Sequence, residues 1–191
     1  MPKWPLCLNT CTIQPASLMD KIGIAVETGY TAIEVWSNEL TQFEQTGRPL
    51  SDLGQILEDS GLKVLSVIAI FDWMQSGDFH KKKTYTEARR RLRQAAVIGA
   101  PYIIASPVPD RQTLDITLGA TRYRELLEMG EEVGVRPVME FLGFNGNVYQ
   151  LEQAVESWRD MPDGTPDGHS LCRLIESFPE EAPCSTTPSK P

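Results

Sequence analysis

Two glutamates stand where a carboxylate is costly to place. Glu140 is expected to end the apolar run in Pro137-Val138-Met139-Glu140-Phe141, and Glu34 the run in Ala32-Ile33-Glu34-Val35-Trp36. An ionised carboxylate in such surroundings costs several kcal/mol unless it is paired, hydrogen-bonded or bound to a metal. Both are candidates for chemistry, against the plainer reading of a structural carboxylate held by backbone or by an arginine. Asn9, Trp36 and Phe71 also sit at the ends of apolar runs, where a polar or aromatic side chain could line a shared mouth. His80 is expected in the loop after the third run; a histidine titrates near neutrality, although a lone loop histidine is commonly solvated.

The elements that must position these residues repeat along the chain. Each unit is an amphipathic helix, a glycine and an apolar run. The first helix is expected to start at Pro15, to carry Leu18, Ile22, Ala25 and Val26 on one face, and to stop at Gly29. A second bears Leu50, Leu53, Ile56 and Leu57, stops at Gly61 and leads into the run from Val64 to Phe71. Thr84-Tyr85-Thr86-Glu87 has capping-box spacing for a third helix that ends at Gly99, followed by Tyr102 to Ser106. A fourth runs through Tyr123, Leu126, Leu127 and Val133 to Gly134, and Asn147 is expected to cap a fifth with Val148, Leu151, Val155 and Trp158. With Leu6 to Thr10 as the opening strand, five βα units follow at intervals of roughly 35 residues. Strict alternation implies a parallel sheet covered by helices, closed as a barrel or open. The first strand is followed by no glycine-rich phosphate loop, which disfavours dinucleotide binding.

Composition narrows the partners. A net charge of −8 offers no basic field for a phosphate backbone, so nucleic acid is excluded as an expected partner and a small polar ligand fits better. The basic run Lys81, Lys82, Lys83, Arg89, Arg90, Arg91 and Arg93 alternates with Leu92, Ala95 and Ala96 and reads as a solvated helix face. No run approaches a membrane span and no apolar leader stands at the start, so a cytoplasmic location is expected. Cys7, Cys11, Cys172 and Cys184 lack paired metal-binding spacing and read as free thiols, the first two as inert core residues.

Three tracts resemble the xylose-isomerase-like family of sugar phosphate isomerases and epimerases: Gly29 to Trp36, Ala105-Ser106-Pro107-Val108-Pro109, and Val138-Met139-Glu140-Phe141-Leu142-Gly143. The resemblance covers about residues 6 to 160. It implies a (β/α)8 barrel with its site at the carboxyl ends of the strands, of which this chain would carry five βα units. It also implies a divalent metal held by acids and a histidine on strands five to eight, of which only Glu140 has a match. Glu140 is then both catalytic group and metal ligand, with Glu34, Asn9, Trp36, Phe71 and His80 as substrate contacts. Mn2+ or Mg2+ suits such oxygen ligands, with Zn2+ and Co2+ left open. The implied chemistry is proton transfer next to a carbonyl on a small sugar or hydroxycarbonyl compound. The endonuclease branch of the superfamily uses histidines from early strands, and strands two to five here contain none.

After residue 160 the pattern breaks. Residues 161–191 hold six prolines and little apolar content, so a disordered tail outside the family fold is expected. Codon degeneracy permits a one-base insertion after the codon for Asp167 to have replaced an apolar strand ending in aspartate and histidine; the gene's nucleotide sequence tests this. Five strands cannot close a barrel, so β-edges at the first and fifth strands are expected to carry unpaired backbone groups and to favour self-association. The alternative to an isomerase or epimerase is therefore a non-catalytic remnant or interaction module of the same fold.

Overall fold

The computed structural model describes residues 6–74, 78–106, 116–140 and 142. The fifth helix expected around residues 147–158 and the tail 161–191 lie outside the described residues. Five strands, β1 (Cys7–Asn9), β2 (Ala32–Trp36), β3 (Lys63–Ile70), β4 (Tyr102–Ala105) and β5 (Arg136–Met139), form one sheet in sequence order, every pair parallel. Helices connect them: α1 (Leu18–Glu27), α2 (Ser37–Gln45), α3 (Leu50–Asp59), α4 (Asp78–Val97) and α5 (Ile116–Glu131). The five parallel strands and the helices after the first four are those expected from the repeat, with α2 in addition.

The sheet's outward residues supply the core. Leu8, Ile33, Val35, Val67, Ile103 and Ala105 are buried, together with Ile22, Leu53, Leu57, Leu92 and Leu126 from the helices. Each buried aliphatic side chain is worth about 1.5–3 kcal/mol relative to exposure, so this two-layer contact is the main stabilising term. Between helix and strand the chain must turn sharply, and Gly29, Gly61, Gly99 and Gly134 all adopt positive φ, between +71° and +83°. That conformation is cheap for glycine alone, which is why the helix ends were visible in the sequence.

Several boundaries differ from expectation. β1 stops at Asn9 and Cys11 lies in a 3-10 turn, Thr10–Ile13, capped by the Asn9 side chain. Cys7 is exposed on β1 and Cys11 half-buried, so both are free thiols but neither is a core residue. α1 begins at Leu18, because the Ser17 hydroxyl accepts the Asp20 amide and caps the helix there. Val26 is exposed on it rather than buried. α2 was not foreseen; its apolar residues Leu40 and Phe43 are both buried. α4 begins at Asp78, so Thr84 is interior to the helix and Glu87 caps nothing. Glu87 instead accepts from Arg90 and Arg91, bonds that hold its carboxyl down to about 2 against the cost of partial burial. His80 therefore lies in the first turn of α4 and not in a loop. Within the basic run Arg91 is no surface group: it donates to the Ser37 hydroxyl and the Ala69 carbonyl and covers the Phe71 ring. Among the described residues no helix is long and apolar enough to cross a membrane.

One buried ion pair fixes the top of the first two units. Lys21 of α1 meets Glu39 of α2 at 2.7 Å, with side chains only 5% and 14% exposed. The second Glu39 oxygen accepts the Thr10 hydroxyl at 2.5 Å and the Trp36 amide at 3.2 Å. Removing one partner of such a pair strands the other charge, so Glu39→Ala is expected to cost about 3 kcal/mol in chemical denaturation. Glu39→Leu paired with Lys21→Met should recover most of it; a single Glu39→Ala variant as stable as the parent would show that the pair contributes nothing.

A second test concerns α5. A Cβ at Gly130 would lie 2.3 Å from the Val135 carbonyl oxygen and 2.6 Å from Pro137 Cδ. Alanine normally stabilises a helix interior by about 1 kcal/mol over glycine. Here the overlap reverses the sign, and Gly130→Ala is expected to lower the melting temperature by several degrees, with a cost of about 1–3 kcal/mol. A rise in melting temperature would refute the close approach.

Candidate active site at the strand ends

The inward face of the sheet gathers polar groups in a row set by register. Asn9 pairs with Glu34 across β1 and β2, and Glu34 pairs with Ser66 across β2 and β3. The second pairing depends on an irregularity: Ile33 stands opposite Val64, but Glu34 stands opposite Ser66, so Leu65 is skipped. The extra residue brings a hydroxyl rather than an exposed leucine beside the carboxylate. Asn9 Nδ2 donates to Glu34 Oε2 at 2.8 Å and Ser66 Oγ to Oε1 at 2.5 Å. Each oxygen of Glu34 thus has one fixed donor and keeps acceptor capacity for a ligand. Glu34 lies within β2, two residues before its end, and so deeper than a terminal position.

Trp36 and Phe71 stand above this row. Their rings are 6.5 Å apart and tilted by 41°, and Arg91 backs Phe71 at 5.5 Å. Such a pair offers an apolar wall for the C–H face of a small ligand.

Glu140 follows β5 directly, and its amide continues the ladder by donating to the Ala105 carbonyl at 3.1 Å. Burial pushes its carboxyl above the usual range, the hydrogen bond from Ser106 opposes that, and the negative charge of Glu34 adds to the rise. Met139 stands opposite the buried Ala105, so the next residue, Glu140, turns to the inner face that carries Glu34. Ser106 itself is buried and its amide donates to the Ile70 carbonyl, so the group that steadies Glu140 is anchored in the sheet.

The sequence-predicted residues Glu34, Asn9, Trp36, Phe71 and Glu140 therefore occupy one end of one face. The backbone of His80 starts α4; its side chain lies outside the described residues. Ser66, Ser106 and Asp72 were not singled out from the sequence as site residues. Ser66 carried a signal as the lone polar residue in the run from Val64 to Phe71. Asp72 follows Phe71 with φ of +59°, a conformation uncommon for any residue but glycine and frequent near functional sites. Among the described residues, no three His, Cys, Asp or Glu side chains gather as a metal-binding group.

Solved structures with the same fold are numerous. A protein described as IOLI with a binding zinc atom superposes with a TM-score of 0.73 at 22% identity, over 81% of this chain and 58% of that one. A D-psicose 3-epimerase in the presence of D-fructose gives 0.70 at 13% identity, over 85% and 61%. The probable 3-DHS dehydratase AsbF from Bacillus anthracis gives 0.65 at 17%, over 85% and 61%. The chain spans about three fifths of the length of these proteins. No curated protein matches the sequence. The profile of the family described as Xylose isomerase-like TIM barrel matches residues 22–164. With five parallel strands in barrel order and that match over most of its length, the chain belongs to the xylose isomerase-like TIM barrel family.

Proposed function

We propose that the face bearing Glu34 and Glu140 transfers a proton at a carbon beside a carbonyl, on a small sugar or related hydroxycarbonyl compound, as an isomerase or epimerase. The observation that carries this reading is the convergence of two carboxylates in unlike settings, Glu34 held by two donors and Glu140 pushed toward its protonated form by burial. A carboxyl whose proton affinity is raised by burial suits acid–base work. Glu140 is assigned the transferred proton, steadied by Ser106. Glu34 accepts hydrogen bonds from substrate hydroxyls, and Trp36 and Phe71 pack on the carbon skeleton. Glu140 as carboxylate removes the proton and leaves an enediolate; its return to the neighbouring carbon, with the hydroxyl proton passing between the two oxygens, gives the isomer, while a solvent proton added at the opposite face, Glu140 giving its own back to solvent, gives the epimer. Epimerases and a dehydratase with this fold support a reaction of this class.

A divalent metal is the cofactor the family suggests, and Glu140 is the residue here that would bind it. The described residues supply no three-donor group, so they do not amount to a metal site, and the steps above rest on the carboxylates and their partners. The same observation favours a second reading, a non-catalytic interaction module of this fold.

Solvent-exchange NMR separates the two. The purified chain is incubated in D2O with D-fructose or D-tagatose, the sugars present with two of the fold relatives, and with Mn2+ or Mg2+. Deuterium is expected at the carbon beside the carbonyl, and Glu140→Gln is expected to slow its entry about 100-fold, the scale of a lost general acid–base group. No exchange by the parent chain selects the interaction module; an unchanged rate in Glu140→Gln removes Glu140 from the chemistry. Glu34→Gln should act mainly on KM, raising it about tenfold through lost hydroxyl contacts. A fall in kcat with unchanged KM would instead place Glu34 among the proton-transferring groups.

A further inference from the structure

A second group of charged side chains lies on α4, outside the row of polar groups at the strand ends. A groove of about 540 Å3 runs along this helix, lined among the described residues by Lys81, Lys82, Tyr85, Thr86, Arg89 and Arg93. Four of these are cations, two carry hydroxyls and none is an acid. Lys82, Thr86, Arg89 and Arg93 recur at i, i+4, i+7 and i+11, so they form one stripe on the helix, with Lys81 and Tyr85 beside it. Lys82 and Arg89 stand about 10 Å apart along the axis, at 1.5 Å per residue. Part of the charge is already met: Lys81 pairs with Glu125 of α5 at 2.6 Å, and the Tyr85 hydroxyl donates to the other Glu125 oxygen. Arg89 reaches Glu132 only at 4.0 Å, between exposed side chains, a contact worth little in water. Arg122, one turn before Glu125 on α5, is 4% exposed, and its Nε and Nη1 meet no acceptor among the described residues. Burial and Glu125 raise the proton affinity of the Tyr85 hydroxyl, and the positive charges of Arg122 and Arg89 oppose that rise. A buried guanidinium with unmatched N–H groups adds to the attraction for an anion at this face.

We propose that this groove binds a small compound with a phosphoryl group at each end, one met by Lys81 and Lys82 and the other by Arg89 and Arg93, with the Thr86 hydroxyl donating between them. The occupant follows from charge and size. Arginine offers a fork that matches phosphate oxygens in pairs, and lysine a point charge. A neutral compound would leave these cations unmatched. A long polyanion would meet the net charge of −8 carried by the rest of the chain, whereas a short one engages the stripe alone. Two phosphoryl groups about 10 Å apart fit the rise from Lys82 to Arg89. Every lining residue belongs to α4, between β3 and β4, so the proposal stands apart from the catalytic reading of the strand ends.

Fructose 1,6-bisphosphate, fructose 6-phosphate and fructose are the probes, each titrated into the full-length chain by calorimetry, with amide NMR shifts to locate the contact. The bisphosphate is expected to bind about tenfold more tightly than the monophosphate, the scale of one further hydrogen bond between charged groups. It should shift the α4 amides from Lys81 to Arg93, and fructose should shift none of them. Lys82→Gln and Arg93→Gln change exposed side chains and should each weaken bisphosphate binding about tenfold. Lys83→Gln removes an exposed charge of the same run that does not line the groove, and should leave the affinity unchanged. An equal loss in Lys83→Gln would reveal a diffuse basic surface and overturn the site. Equal affinity for the two phosphates, shifts at Trp36 and Glu140 in place of α4, or no binding of the bisphosphate would overturn it as well.

Discussion

Burial of the sheet's outward face under the helices is the constraint on which the other features rest. Because strand side chains alternate, committing Ile33, Val35, Val67 and Ile103 to the core turns their neighbours inward. A one-residue slip of any strand would expose those aliphatic groups, at about 1.5–3 kcal/mol for each, so register is strongly specified. The inward residues inherit that precision without contributing to it. This is how Asn9, Glu34 and Ser66 come within hydrogen-bond reach across three strands although none of them drives the packing.

The parts of this architecture legible in the sequence are those set by local chemistry. Helix ends at Gly29, Gly61, Gly99 and Gly134 could be read because only a positive φ lets so short a link reverse the chain, and glycine marks it. β3 could be read as a buried parallel strand from its almost continuously apolar run. α2 escaped notice since most of Ser37 to Gln45 is polar and only Leu40 and Phe43, three residues apart, anchor it. The start of α4 differs because Thr84 and Glu87 have capping-box spacing that the helix, already under way from Asp78, does not use. In the fold Lys81 is paired with Glu125 of α5, a partner distant in sequence, which secures the helix's first turns. The bulge at Leu65 was invisible for the same reason: register belongs to two strands and not to either one alone.

The site was legible to the same extent. Glu34 and Glu140 stood out as acids within apolar runs, a conflict that a sequence shows directly. Their resolution is non-local. Glu34 is satisfied by donors from β1 and β3, and Glu140 by Ser106 at the end of β4. Each carboxylate thus depends on side chains from neighbouring strands, which makes the spacing of the two acids a property of the sheet rather than of its loops.

A difference between the two sides of the mouth follows. At β1 and β2 the Lys21–Glu39 pair ties α1 to α2, and through Thr10 and the Trp36 amide it fixes the turn after Asn9 against the end of β2. Asn9 and Trp36 are therefore placed by a buried charged network whose loss would move both. At β4 and β5 Glu140 is held by a backbone bond to Ala105 and by the Ser106 hydroxyl. Burial raises the proton affinity of Glu140, and the Ser106 hydroxyl opposes that rise. The side that carries Glu34 is therefore anchored through a buried ion pair, whereas Glu140 takes its place from the end of β4.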